Sequence, residues 1–185
     1  YRLVALAALD AGLPQDDEPG HARLALDLDV TFTADPAGAE VVLLAGKDVT
    51  TRLRTEAAGM TASRVAAMPA VRTALLDRQR AFARPPGLVA DGRDMGSVVF
   101  PNAQLKIYLT ASPEERARRR HKQLKEKGLD VSLADLSQEI RERDHRDSTR
   151  AVAPLRPAED AVVIDSTGIP IGGVVDEILA LVGQR

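Results

Sequence analysis

Cysteine and tryptophan are both absent from the 185 residues, and only three phenylalanines and two tyrosines are present. Without Cys there is no disulfide, no thiolate metal site and no cysteine nucleophile, a usage that fits a reducing compartment. The cytoplasm is the expected location. With aromatics at 3%, the platforms on which single-stranded nucleic acid stacks are scarce. No apolar run approaches the roughly 18 residues of a membrane span. The opening apolar stretch at 3–9 lacks the charged lead and cleavage site of a signal peptide. Three His residues, at 21, 121 and 145, show no ligand spacing, so no protein-bound metal is expected. Methionine is also missing from position 1, which raises the expectation that a segment precedes Tyr1.

What is present describes an ordinary globular chain. Hydrophobic residues make up 44% and charged residues 28%, which argues against disorder and against a fibrous class. The net charge of -2 is unevenly spread: residues 116–150 carry eleven Lys and Arg against seven Asp and Glu, a balance of +4 that leaves -6 for the remainder. A local basic region on an acidic protein points to phosphate bound within a site. A duplex-binding surface is broad and basic overall. The expectation is therefore small-molecule partners, without nucleic acid and without a membrane; the chain is also expected to be a monomer, which the charge does not decide.

Along the chain, Leu3, Leu6 and Leu9 predict a helix over 1–11, and a second short helix is expected at 19–26. Leu26, Leu28, Val30 and Phe32 alternate with Asp27, Asp29, Thr31 and Thr33, predicting a half-buried strand. With Val41–Leu44 and the turns at 35–38 and 45–48, it completes a small antiparallel insert over 26–50. Helices are predicted from Thr50 to Ala67 and from Pro69 to Phe82, the second with Arg72, Arg78 and Arg80 projecting. Apolar runs at 87–91, 105–109 and 161–165 read as strands. Ser112-Pro113-Glu114-Glu115 opens a helix with a capping Ser, a first-turn Pro and a following acid. A further helix starts near Ser132, and 172–182 is predicted as a helix with Val175, Ile178, Leu179 and Val182 inward. Strand and helix in alternation imply an α/β fold, a parallel sheet flanked by helices.

One stretch draws attention: Leu88-Val89-Ala90-Asp91-Gly92-Arg93-Asp94-Met95-Gly96-Ser97-Val98-Val99-Phe100-Pro101. As a buried strand breaking into a glycine-containing loop, it would deliver Arg93 and Asp94 at a strand's carboxyl end, where open parallel sheets bind ligands. A surface turn is the other reading. Arg93, Arg116, Arg118, Arg119, Arg120, Arg143, Arg146 and Arg150 follow strand ends or lie on the helical hairpin. Converged, their guanidinium forks suit a phosphoryl group in transfer, whose charge spreads over several oxygens. The competing reading is a set of surface ion pairs such as Glu139 with Arg143, each worth about 0.2–0.5 kcal/mol.

These motifs in this order resemble the bacterial cytidylate kinase family of nucleoside monophosphate kinases. The resemblance rests on Tyr1-Arg2, the insert at 26–50, Asp91-Gly92-Arg93-Asp94-Met95-Gly96, Val98-Val99-Phe100-Pro101, Glu142-Arg143-Asp144-His145-Arg146-Asp147 and Arg150-Ala151-Val152-Ala153-Pro154-Leu155. It implies a single domain over 1–185, transfer of the γ-phosphoryl group of ATP to CMP or dCMP, and Mg²⁺ as cofactor. It further implies that Ser63, Arg72 and Asp94 contact the cytosine, Arg2 and Arg93 the acceptor phosphate, and Asp147 the sugar, with Arg150 lining the same site. Arg93, Arg119 and Arg143 are the expected catalytic arginines, the last two also holding ATP. An acidic acceptor beside Arg and Ser donors matches the amino and carbonyl edge of cytosine. The hairpin at 112–150 is the expected lid, its arginines repelling one another until phosphates arrive. The family's phosphate loop, G-x-x-x-x-G-K-[ST], does not occur, and the one Gly-Lys pair, Gly46-Lys47, lies in the insert. That motif is expected upstream of Tyr1, and residues 1–185 alone are expected not to turn over. A non-catalytic nucleotide-binding protein that keeps only the CMP site is the alternative.

Overall fold

The computed structural model describes residues 1–126 and 128–184. They form two compact units, Tyr1–Leu88 and the segment from Val89 onward.

In the first unit, α1 (Arg2–Asp10) turns Val4, Ala5, Leu6 and Ala8 inward and packs on α4 (Glu56–Val65). The next helix, α2 (Glu18–Leu26), begins where the Asp17 carboxylate accepts from the Gly20 amide at 2.9 Å, and it packs on α5 (Pro69–Arg80). Val4, Leu6, Ala25, Val65, Val71 and Leu75 belong to the core these helices share. Three antiparallel strands follow the order β1 (Val30–Ala34), β2 (Glu40–Leu44), β3 (Lys47–Asp48), with Phe32 opposite Val42. The β1–β2 turn closes because the Asp35 carboxylate accepts from the amides of Ala37 and Ala39, at 2.9 and 2.8 Å, while Gly38 adopts φ 82°.

The second unit holds a parallel pair, β4 (Ile107–Thr110) and β5 (Val162–Asp165), with Ile107 opposite Val162. A parallel pair needs a crossover, supplied by the hairpin of α6 (Pro113–Glu126) and α7 (Leu133–Thr149). Both helices start as their caps predict: Ser112 Oγ accepts from the Glu115 amide at 3.1 Å and Ser132 Oγ from the Asp135 amide at 3.3 Å. Ala117, Leu124 and Leu136 are buried along the hairpin. Ser132→Ala is expected to cost about 1 kcal/mol through the lost cap, read as an earlier urea midpoint with an unchanged slope. The last helix is α8 (Ile171–Val182).

Several expectations are corrected. The run at 87–91 is not a strand: it pairs with neither β4 nor β5, and Val89 is 99% exposed. Apolar character alone cannot supply a ladder partner. The residues after it, Met95–Val99, form a π-helical turn. The helix expected over 50–67 is interrupted between α3 (Thr50–Leu53) and α4. There Thr55 Oγ1 accepts from the Ala58 amide at 3.2 Å and donates to the Arg52 carbonyl at 2.9 Å, so its hydroxyl competes with the helical ladder. Leu26 ends α2 instead of opening a strand, and Phe32 lies half exposed with its ring edge-on to Phe82 at 5.9 Å. Arg72 does not project from α5; it is buried. On α8 the inward line is Val174, Ile178 and Leu181, while Val175, Leu179 and Val182 are exposed. That helix is apolar around most of its circumference, so its pattern does not decide which arc packs.

Candidate functional site

Asp144 and Asp147 lie three residues apart on α7 and therefore on one face. Asp147 is 1% exposed, a position a carboxylate keeps only with cationic partners. Arg93 Nε approaches Asp147 Oδ2 at 2.9 Å and Arg143 Nε approaches it at 3.7 Å, both as ion pairs off the line of a hydrogen bond. The Asp147 carbonyl also accepts from the Leu155 amide at 2.8 Å, which ties the loop after α7 to the helix. The polar last turns of α7 thus bury their central carboxylate.

Arg93 reaches this face from the bend before the π-helical turn. There the Asp94 carbonyl accepts from the amides of both Val98 and Val99, at 2.9 and 3.2 Å. A Cβ on the neighbouring Gly92 would lie 2.9 Å from Met95 Cγ, so any side chain there would have to displace the Met95 side chain. Asp94 itself is buried. The other end of the Arg93 guanidinium is different: Nη1 stands 3.9 Å from Asp144 Oδ1, and neither Nη atom donates a hydrogen bond among the described residues. One edge is fixed by a buried anion while the fork keeps unused donors, the arrangement an anionic ligand needs.

Asp144 is engaged mainly by Arg116 of α6. Arg116 Nη1 donates to Oδ1 at 3.0 Å, Nη2 makes a short contact to Oδ2, and Nε donates to the Ala111 carbonyl at 3.1 Å. The hydrogen bonds to Asp144 hold the Arg116 guanidinium above its ordinary value. Arg150 Nε donates to the Ala153 carbonyl at 2.6 Å, in the loop that follows α7.

Arg119 does not join this group. Its Nε donates to Glu115 at 2.9 Å, its Nη1 to Ser166 Oγ at 3.0 Å, and its Nη2 makes a short contact to the Ser166 carbonyl. Arg118 also donates to Glu115 and Arg141 pairs with Glu114. The expected repulsion among hairpin arginines is thus corrected: acids on the same hairpin face them. Hydrogen bonds from Arg118, and next from Arg119, hold the Glu115 carboxyl below its ordinary value. A depressed carboxyl contributes stability above its unfolded pKa and loses it as pH falls through the folded one. The melting-temperature gap between the parent and Glu115→Gln should therefore be present at neutral pH and close below about pH 4; a gap constant with pH would refute this.

The first unit holds Ser63, Arg72 and Arg2. Ser63 of α4 is buried, and Arg72 of α5 donates from Nη1 to the Ala66 carbonyl at 3.0 Å with its guanidinium 5.4 Å above the Tyr1 ring. Arg2 Nη1 meets the carbonyls of Leu53 and Thr55, across the break between α3 and α4. Asp144 and Ser166 were not foreseen as partners. For Asp144 the signal was available in its i, i+3 spacing to Asp147 on a helix facing arginines.

The protein-family profile described as cytidylate kinase matches residues 1–184. A protein of Methylococcus capsulatus named cytidylate kinase is 57% identical over 182 residues, 98% of this chain and 81% of that protein. Its namesake in Stutzerimonas stutzeri is 58% identical over 186 residues, covering 100% and 81%. The cytidylate kinase of Vibrio parahaemolyticus is 58% identical over 185 residues, with the same shares.

Proposed function

We propose that in this chain, which belongs to the cytidylate kinase family and phosphorylates CMP or dCMP from ATP, Arg93 receives the acceptor's phosphate. The observation that carries this reading is the Arg93 guanidinium, pinned at Nε by buried Asp147 and leaving both Nη atoms without a hydrogen bond among the described residues. A phosphate oxygen accepts from such a fork in two places, fixing orientation as well as charge. Arg143, paired with the same carboxylate, is proposed to share the transferring group's charge, and Arg150 to border the same site. Asp147 is proposed to meet the sugar. Arg2 is proposed as a second phosphate contact and Arg119 as a contact to ATP, each after exchanging its present carbonyl or carboxylate partners. The hairpin 112–150 would act as the closing lid.

Mg²⁺ accompanies ATP in this proposal. No three carboxylate or imidazole groups gather into a cation site among the described residues. The ion is therefore assigned to the nucleotide's own phosphates, where it usually keeps several waters, and no step is routed through it. A monomer in the cytoplasm remains the working reading, and no described helix is long and apolar enough to cross a membrane.

Calorimetric titration of the purified full chain with CMP and with cytidine tests the assignment. Charged hydrogen bonds to phosphate are worth about 1.5–3 kcal/mol each, so CMP should bind roughly 100-fold more tightly. Equal affinities would sink it. Base recognition is a second measurement. Ser63, Arg72 and Asp94 are proposed to read cytosine, so Arg72→Ala and Asp94→Ala should each erase about 1–3 kcal/mol of preference for CMP over UMP. A variant that discriminates as well as the parent removes that residue from the reading.

A further inference from the structure

We infer that Arg116 is a positioning residue that keeps Asp144 from closing on Arg93, so that the Arg93 fork stays available to phosphate. The inference rests on the assignment of Arg93 made above. Three contacts fix Arg116: Nε on the Ala111 carbonyl, and the two Nη atoms on the two oxygens of Asp144. Three of its five N–H donors are used and all three nitrogens are anchored, so the guanidinium cannot swing toward a ligand without breaking this lock. Its partner does have an alternative. Asp144 Oδ1 is 3.9 Å from Arg93 Nη1, within reach of Coulomb attraction but about 1 Å beyond a charge-assisted hydrogen bond.

Remove the Arg116 fork and Asp144 loses both of its close donors, with a cationic neighbour less than 4 Å away. A small side-chain rotation then gives it a new donor on Arg93. The acceptor phosphate would afterwards have to displace a carboxylate already bonded there, and would meet that carboxylate's charge without the cation that now neutralises it. The loss falls on the phosphate only, because a nucleoside makes no use of the Arg93 fork. Asp147 is a different case, since it holds Nε and leaves the Nη end open.

The arrangement predicts that the second substitution rescues the first. Arg116→Gln should weaken CMP binding about tenfold while the affinity for cytidine stays within about twofold. Asp144→Asn, which removes the competing charge, should bind CMP about as well as the parent. Arg116→Gln combined with Asp144→Asn should recover most of the loss, to within about threefold of the parent. Arg116→Lys keeps the charge but one contact at most, and should lie between parent and Arg116→Gln; it serves in its place should that variant fold poorly. A role confined to joining α6 and α7 would lower the melting temperature and shift CMP and cytidine together, with no recovery in the double variant. Unchanged CMP affinity in the Arg116 variants, or a double variant no better than the single, overturns the inference. Arg93→Gln provides the control. If that variant leaves the CMP-to-cytidine ratio intact, the assignment of Arg93 fails; if it collapses the ratio while the Arg116 variants do not, only the role of Arg116 fails.

Discussion

In an enzyme that also carries the family's phosphate loop, replacing Arg93 with Gln is expected to lower kcat/KM for CMP by about 10³, in line with the loss of a single arginine contact in phosphoryl-transfer sites. Gln keeps hydrogen-bonding ability and much of the length but has no charge, so both ground-state and transition-state contacts to phosphate weaken. A loss in KM alone would mean that Arg93 binds the two states equally, whereas a loss in kcat would place the interaction in the transition state. Arg93→Lys separates charge from geometry. An ammonium restores the positive charge but not the fork, and it cannot present one edge to Asp147 and the other to a ligand. Lys is therefore expected to recover at most about tenfold of the loss. Full recovery by Lys would show that charge is sufficient and that the pinning of Nε does nothing.

How far the sequence foretells this site depends on whether the signal is local. The start of α6 was legible because a capping Ser, a first-turn Pro and a nearby acid act within four residues, and that cap is formed as expected; α7 starts near Ser132 as expected, with Ser132 as its cap. The β1–β2 turn was legible for the same reason, through Asp35 and Gly38. The strand expected at 87–91 failed because strand formation is decided by a partner elsewhere in the chain, and three apolar residues cannot announce one. The burial of Arg72, which was expected to project from its helix, and of Asp147 escaped prediction by the same logic. A charged residue is buried only when distant groups compensate it: the Ala66 carbonyl and Tyr1 ring for one, Arg93 and Arg143 for the other. The resemblance of motifs named both residues as site residues even though their burial could not be read from their own neighbourhoods.

Asp147→Ala carries the largest expected effect on stability. Removing one partner of a buried ion pair leaves the other charge uncompensated, at about 3–5 kcal/mol. Arg93 and Arg143 would both lose the carboxylate they share. Against a total of about 5–15 kcal/mol, that is a large fraction, and for a chain of this length the melting temperature should fall by about 10 °C. Binding should suffer too, because Arg93 would lose the anion that orients its Nε. The two losses have different remedies. Adding Arg93→Gln to Asp147→Ala deletes one of the two cations that lost this carboxylate and should restore about 1–2 kcal/mol of stability, while CMP binding stays lost. Urea unfolding and calorimetric titration of the two single variants and the double variant therefore form a closed test. If stability losses simply add, Arg93 and Asp147 do not depend on one another, and the 2.9 Å approach between them contributes nothing to the fold. If the double variant regains CMP binding together with stability, the phosphate does not rest on Arg93 at all.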